Sequence, residues 1–232
     1  MELVATAEAA RRLGVSPRRV RAMISDQQVE AQRVADRWLV DADSLERLAA
    51  APRASGRPWS PQVAWACLRW LDGEQRAVAA LAAVDRSRLR RRLQAPVRLE
   101  ALAPRLVRRA RPLRLHGHPS VLRDVEHAGC ATGLSAAAAL KVGLAVREGE
   151  QADVYVPEGT VDGLVAALAL RPVEASGGAN VTLRRVPDAA WQLEGRTVAP
   201  VAAAALDLAE HADTRSHAAA RELAARVESR DA

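Results

Sequence analysis

The sequence predicts an α+β protein, predominantly helical, and three observations lead there. A glycine and a Ser-Pro pair separate two short helical patterns within residues 6–25, and two extended runs follow within residues 29–40. From residue 128 onward, strand-like and helix-like patterns alternate.

Thr6 is suited to cap a first helix, with Glu8 in its first turn and Ala9, Ala10 and Leu13 on one face. Gly14 ends it, and Ser16-Pro17 restarts a second helix with a side-chain cap and a residue whose fixed φ fits the first turn. At roughly 100° per residue, Val20, Met23 and Ile24 form the inner stripe of that helix. Arg18, Ala22 and Ser25 then point directly away, with Arg19 and Arg21 on the flanks. Such a face suits a DNA major groove, Arg18 reading guanine and its neighbours meeting phosphate. Ser16, where the helix begins, joins them as a DNA-binding candidate. The competing reading is an ordinary solvated arginine face.

Val29 to Val40, "VEAQRVADRWLV", holds two strands with a bend at Ala35 and Asp36, flanked by Arg33 and Arg37. Trp38 and Val40 share one face of the second strand, read as a core cover. A third helix follows Asp41, with Leu45 and Leu48 inward. Residues 1–50 therefore read as a winged helix-turn-helix. On "TAEAARRLGVSPRRVRAMI" and "RVADRWLV", residues 3–50 resemble the DNA-binding domain of the excisionase and MerR-like group. That resemblance implies a second helix in the major groove and a wing on the backbone or minor groove. It gives those roles to Arg18, Arg19 and Arg21, and to Arg33 and Arg37. MerR regulators continue into a long dimerisation helix; no heptad run follows Ala50, which speaks against a metal sensor.

Phe is absent from the 232 residues and Tyr occurs once, so the core is built from Leu, Val, Ala and Trp. Cys67 and Cys130 lack zinc spacing and read as buried thiols of a reducing cytosol. No apolar stretch reaches the length of a membrane span and no signal-peptide pattern appears, so a cytoplasmic protein without a membrane partner is expected. Lys and Arg against Asp and Glu number 8 and 8 in residues 1–50, 16 and 6 in 51–127, and 10 and 14 in 128–232. The basic excess thus lies in the middle of the chain, where it suits phosphate contacts or an acidic protein surface.

Residues 51–60, opening "APRASGRP", read as a linker. Ser60-Pro61 opens a helix with Val63, Ala64, Cys67, Leu68 and Leu71 along one stripe up to Gly73, flanked by Trp65 and Trp70, which read as core cover. In "DRSRLRRRLQ", Leu89 and Leu93 stand four apart, and Arg86, Arg88, Arg90, Arg91 and Arg92 fall around the remaining face as DNA-binding candidates. Residues 61–127 make a basic helical segment, also compatible with a second winged helix, and "PLRLHGHP" within it reads as a strand. His116 and His118 lack a third ligand, so no metal is expected.

Residues 128–232 form the C-terminal α+β domain. A helix opens near Ser135, Ala152–Pro157 and Ala179–Pro187 read as strands, and Thr160–Leu170 as a helix. Two closing helices run from Pro200 to Glu210 and from Thr214 to Val227. Asp153, Asp207 and Glu210 show no catalytic spacing. Asp207 and Glu210 stand on adjacent turns and read as a solvated or capped helix, an ion or an arginine being their alternative partner. Gly177-Gly178 makes no phosphate loop. Neither an enzyme nor a cofactor is expected.

The stretches "RRARPLRLHGHPSVL", "GLSAAAAL", "ADVYVPEGTVDGLVAALALRP", "ANVTLRRVPD" and "VAPVAAAALDLAEHADTRSHAAARELAARV" resemble AbiEi-type antitoxins, which stand beside nucleotidyltransferase toxins. The resemblance implies a repressor of its own operon that doubles as an antitoxin. Its partners are then double-stranded operator DNA and a cognate toxin, which familiar members commonly neutralise without a stable complex. The rival readings are a protein-interaction adaptor and an excisionase-like architectural DNA-binding protein. An RNA-binding regulator lacks an aromatic stacking platform.

Overall fold

The computed structural model describes residues 3–25, 29–34, 37–50, 57–94, 98–144, 149–173, 178–211 and 213–229. They fall into two compact units, Met1–Arg53 with Pro172–Ala179, and Ala54–Arg171 with Asn180–Ala232. The mixed α+β class is as expected.

The first unit runs β1 (Leu3–Ala5), α1 (Thr6–Leu13), α2 (Pro17–Ser25), β2 (Ala31–Val34), β3 (Arg37–Asp41) and α3 (Ala42–Ala50). Gly14 takes the left-handed conformation at φ 64° that ends α1, and the Ser16 hydroxyl accepts the Arg19 N–H at 3.2 Å. One expected cap is absent. Ala5 precedes α1 without a side-chain cap, and the Thr6 hydroxyl donates instead to the Trp38 carbonyl at 2.9 Å. The reason is β1, a strand not anticipated from the sequence, which carries the chain straight into the helix. The sheet is antiparallel in the order β1-β3-β2, and Val4, Ala9, Leu13, Val20, Ile24, Val40 and Leu45 fill its core with the helices.

Trp38 is not the expected core cover. Val40 is fully buried, but Trp38 is 38% exposed. β1 pairs with β3 only from Leu39 to Asp41, so Trp38 lies beyond the end of that third strand. The expected bend at Ala35 and Asp36 lies outside the described residues.

The second unit begins with α4 (Pro61–Leu71), a 3-10 turn (Gln75–Ala80), α5 (Ala83–Leu93) and α6 (Leu99–Leu106). Then come β4 (Arg111–His116), α7 (Leu122–Ala128), β5 (Cys130–Ala131), α8 (Gly133–Ala136), β6 (Ala152–Pro157), α9 (Val161–Ala167), β7 (Arg171–Pro172) and β8 (Val181–Val186). α10 (Val201–Leu208) and α11 (Thr214–Glu228) close it.

The sheet order is β5-β6-β8-β4-β7, with β6 parallel to β8 and β4 antiparallel to it. Alternation along the strands sends Val154, Val156 and Leu183 into a core shared with α7 and α9. Tyr155 and Val186 join the larger core, built on α4, α6, α10 and α11. Trp65 is fully buried there; its indole N–H donates to the Arg109 carbonyl at 2.9 Å, and its ring meets Tyr155 edge-on with centroids 4.8 Å apart.

A domain boundary at residue 127 does not survive this arrangement, and neither does a second winged helix in residues 61–127. β4 lies inside the five-stranded sheet, with Leu113 opposite Leu183, and one core joins Leu68 and Leu102 to Ala203 and Leu223. Separating the two segments would expose both halves of that core.

Two helices are capped from far along the chain. The Asp72 carboxylate accepts the N–H groups of Val201 and Ala202 at 2.7 and 3.2 Å, and Glu228 accepts the Leu99 N–H at 2.9 Å. Among the described residues no helix is long and apolar enough to cross a membrane.

Candidate nucleic-acid interface

α2 is oriented by what it buries. Val20 is fully buried and Ile24 9% exposed, so Arg18, Arg19 and Arg21 stand exposed on the remaining faces, with Ala22 half-buried between them. Ser16 is exposed; its oxygen is engaged as the cap, which leaves its O–H free to donate outward. Ser25 is the last residue of α2, and its side chain lies outside the described residues.

Arg33 and Arg37 are both exposed, but the register separates them. Arg33 stands opposite Trp38 and Arg37 opposite Val34, so the two guanidiniums belong to opposite faces of the β2-β3 hairpin. Each face of its outer end thus pairs one arginine with one exposed apolar side chain, Trp38 at 38% and Val34 at 47%.

The remaining candidates belong to the second unit. α5 buries Leu89 and half-buries Leu93, leaving Arg88, Arg90, Arg91 and Arg92 exposed and Arg86 partly so. Arg86 donates to the Ala79 carbonyl at 3.1 Å.

Sequence reasoning missed a buried cluster in this second unit. Arg109 and Arg184, each within an arginine-rich run, are only 5% and 4% exposed. Arg184 bonds Asp153 through Nε and Nη2 at 2.7 and 3.0 Å, and its Nη1 reaches Asp207 at 2.9 Å and Glu210 at 2.6 Å. Arg109 joins the same two acids, at 2.5 Å to Asp207 and 2.7 Å to Glu210, and its Nε donates to the Tyr155 hydroxyl at 3.0 Å. The Thr132 hydroxyl donates to Asp207 at 2.5 Å, and His211 Nε2 stands 3.9 Å from Asp153. The reading of Asp207 and Glu210 as a solvated or capped helix fails at Asp207, which is fully buried; arginine, an alternative partner, is what both acids meet. A usable signal existed: Asp207 interrupts "VAAAALDL", and a carboxylate on an otherwise apolar helix needs a cation once buried.

Burial works to raise the Asp153 pKa, and the adjacent Arg184 guanidinium outweighs it, holding the carboxyl below its usual range. For Glu210, burial again opposes and Arg184 with Arg109 prevails, although its side chain is 46% exposed. Burial, helped by Asp207, holds the Tyr155 phenol well above its usual value against the opposing pull of Arg109 and Arg184. Asp153 and Glu210 are therefore kept ionised, and with Asp207 and the two arginines they form a structural clamp that joins α10 and the turn after it to β6, β8 and the turn before β4.

Cys67 and Cys130 are buried and form no disulfide, and burial pushes the Cys130 thiol up to about 11. Among the described residues no three His, Cys, Asp or Glu side chains stand together as a metal site. His118 instead caps the turn at Ser120, accepting its N–H at 3.3 Å.

No protein-family model, curated protein or solved structure matches the chain.

Proposed function

We propose that this chain is a sequence-specific, duplex-DNA-binding transcriptional repressor that acts as the antitoxin of a two-gene module with a nucleotidyltransferase-type toxin. One observation carries the DNA-binding half. α2 is anchored by Val20 and Ile24, so that Arg18, Arg19 and Arg21 face solvent together from a helix that follows a tight turn.

In this reading α1 and α2 form a helix-turn-helix and the β2-β3 hairpin is its wing. Arg18 makes bidentate hydrogen bonds to guanine, Arg19 and Arg21 meet phosphates, and Arg33 and Arg37 supply the wing contacts. The protein works in the cytoplasm, on its own operator. The antitoxin half rests on the sequence resemblance of residues 108–227 alone.

The deciding experiment is binding to a labelled fragment from upstream of the gene, against random DNA of equal length, across a salt series. Selective binding that survives physiological salt supports the reading. Equal binding to both fragments, erased by salt, removes it. Coexpression with the product of the adjacent gene tests the second half: rescue of growth from that product's toxicity is expected, and no rescue rejects the antitoxin role.

A further inference from the structure

α5 carries five arginines and one acid, Asp85, within eleven residues. Like charges four apart on a helix repel by about 0.2–0.5 kcal/mol per pair, as at Arg86 and Arg90 and at Arg88 and Arg92. Among the described residues α5 returns the burial of Leu89, the half-burial of Leu93 and one bond from Arg86 to the Ala79 carbonyl, and nothing that uses its other four arginines. Arg88, Arg90, Arg91 and Arg92 make no ion pair among the described residues, and only Leu89 of α5 is fully buried.

The arginines are not evenly spread. Arg86, Ser87, Arg90, Arg91 and Gln94 line an open depression of about 330 Å³ with Ala83, all spaced along one stripe of the helix. Three guanidiniums, a hydroxyl and a carboxamide line it without a carboxylate, a donor strip suited to successive phosphates. Arg88 and Arg92 form a second row.

We propose that α5 docks on the phosphate backbone of duplex DNA, independently of sequence, with Arg86, Arg90 and Arg91 making the closest contacts. The inference rests on the DNA-binding reading above and extends it to the second unit. Charge complementarity selects the occupant. A protein partner is matched by an apolar centre ringed with polar groups, whereas the stripe between these arginines offers only Ala83, Ser87 and Gln94. An RNA single strand is matched by aromatic stacking, and α5 has no aromatic residue. Residues 1–50 balance 8 basic against 8 acidic side chains, so phosphate contacts from α5 add to those of Arg19 and Arg21 where the first unit has no basic excess of its own.

The test uses the full chain as R86Q/R90Q/R91Q and as R90Q/R91Q, the latter changing only exposed side chains. Each is measured on the upstream fragment and on random DNA from about 50 to 200 mM salt. For the triple variant, three lost phosphate contacts lower the salt slope by about 2.7, or about 40-fold less affinity lost over that range. The loss falls equally on both DNAs, so the selectivity ratio stays at the wild-type value. A wild-type slope in both variants, with selective binding intact, overturns the proposal and leaves the reading head standing. So does an unchanged DNA slope with loss of binding to single-stranded RNA or to an acidic protein, which reassigns α5. Absence of DNA binding in the wild-type chain overturns both proposals together.

Discussion

Arg184 grips Asp153 at two points, Nε on Oδ1 at 2.7 Å and Nη2 on Oδ2 at 3.0 Å, with both side chains 5% exposed. Removing Arg184 leaves Asp153 a buried carboxylate with only His211, 3.9 Å away, beside it among the described residues, so Arg184→Met is expected to cost about 3–5 kcal/mol. Asp153→Asn costs less, because Arg184 keeps Asp207 and Glu210. Exchanging both residues for apolar side chains of similar volume is expected to cost less than Arg184→Met alone. Urea unfolding of the three variants checks this, and additive losses would show that the two side chains do not act as a pair.

The same cluster sets the response to acid. Asp153 and Glu210 titrate below their ordinary values in the folded chain, chiefly because Arg184 outweighs burial at each. The unfolded chain, with carboxyls near about 4, therefore takes up protons first. The stabilisation is complete above that value and is lost as pH falls through the folded values. Glu210→Gln should flatten the dependence of unfolding free energy on pH below about 4. Its share is smaller than that of Asp153 because solvent screens a half-exposed carboxylate. An acid series followed by circular dichroism decides, and a wild-type pH dependence in the variant would rule the coupling out.

Gly133 bears on the clamp as well. It holds φ 49°, and a Cβ there would collide with Asp153 Oδ2. Gly133→Ala is expected to destabilise by more than about 1 kcal/mol through backbone strain and the displaced carboxylate. Gly143 has open space where its Cβ would be, so Gly143→Ala is expected to stay within about 0.5 kcal/mol of wild type. Thermal unfolding of the two variants side by side gives the contrast, and equal losses would contradict it.

Arg18→Ala tests the base-reading assignment. Loss of a bidentate guanine contact costs about 1–3 kcal/mol on the operator and relaxes selectivity at one position. Binding to a panel of single-base operator variants measures it. The same loss on operator and random DNA would make Arg18 a phosphate contact.

Much of the fold was legible because its signals are local. Ser60 caps α4, Gly14 ends α1, and the apolar periodicities of α10 and α11 place those helices where the structure has them. The exposed arginines of α2 also follow from a local quantity, the angle each side chain makes with Val20. Trp38 illustrates the limit: its face was readable, but its exposure depended on where β1 stops pairing with β3.

The chain by itself determined most of the helices, the strands β2, β3, β4, β6 and β8, and the arginines that a helical period leaves outside, since these depend on neighbours a few residues apart; β1, β5 and β7 were not legible in it. Tertiary structure alone decided that Arg109 and Arg184 lie inside, that Asp72 and Glu228 cap helices more than a hundred residues away, and that residues 61–127 share a core with α10 and α11. The physical reason is the same in each case. An arginine run has no period that distinguishes a solvated guanidinium from a buried one; the partner carboxylate does, and only the closed fold brings it within reach.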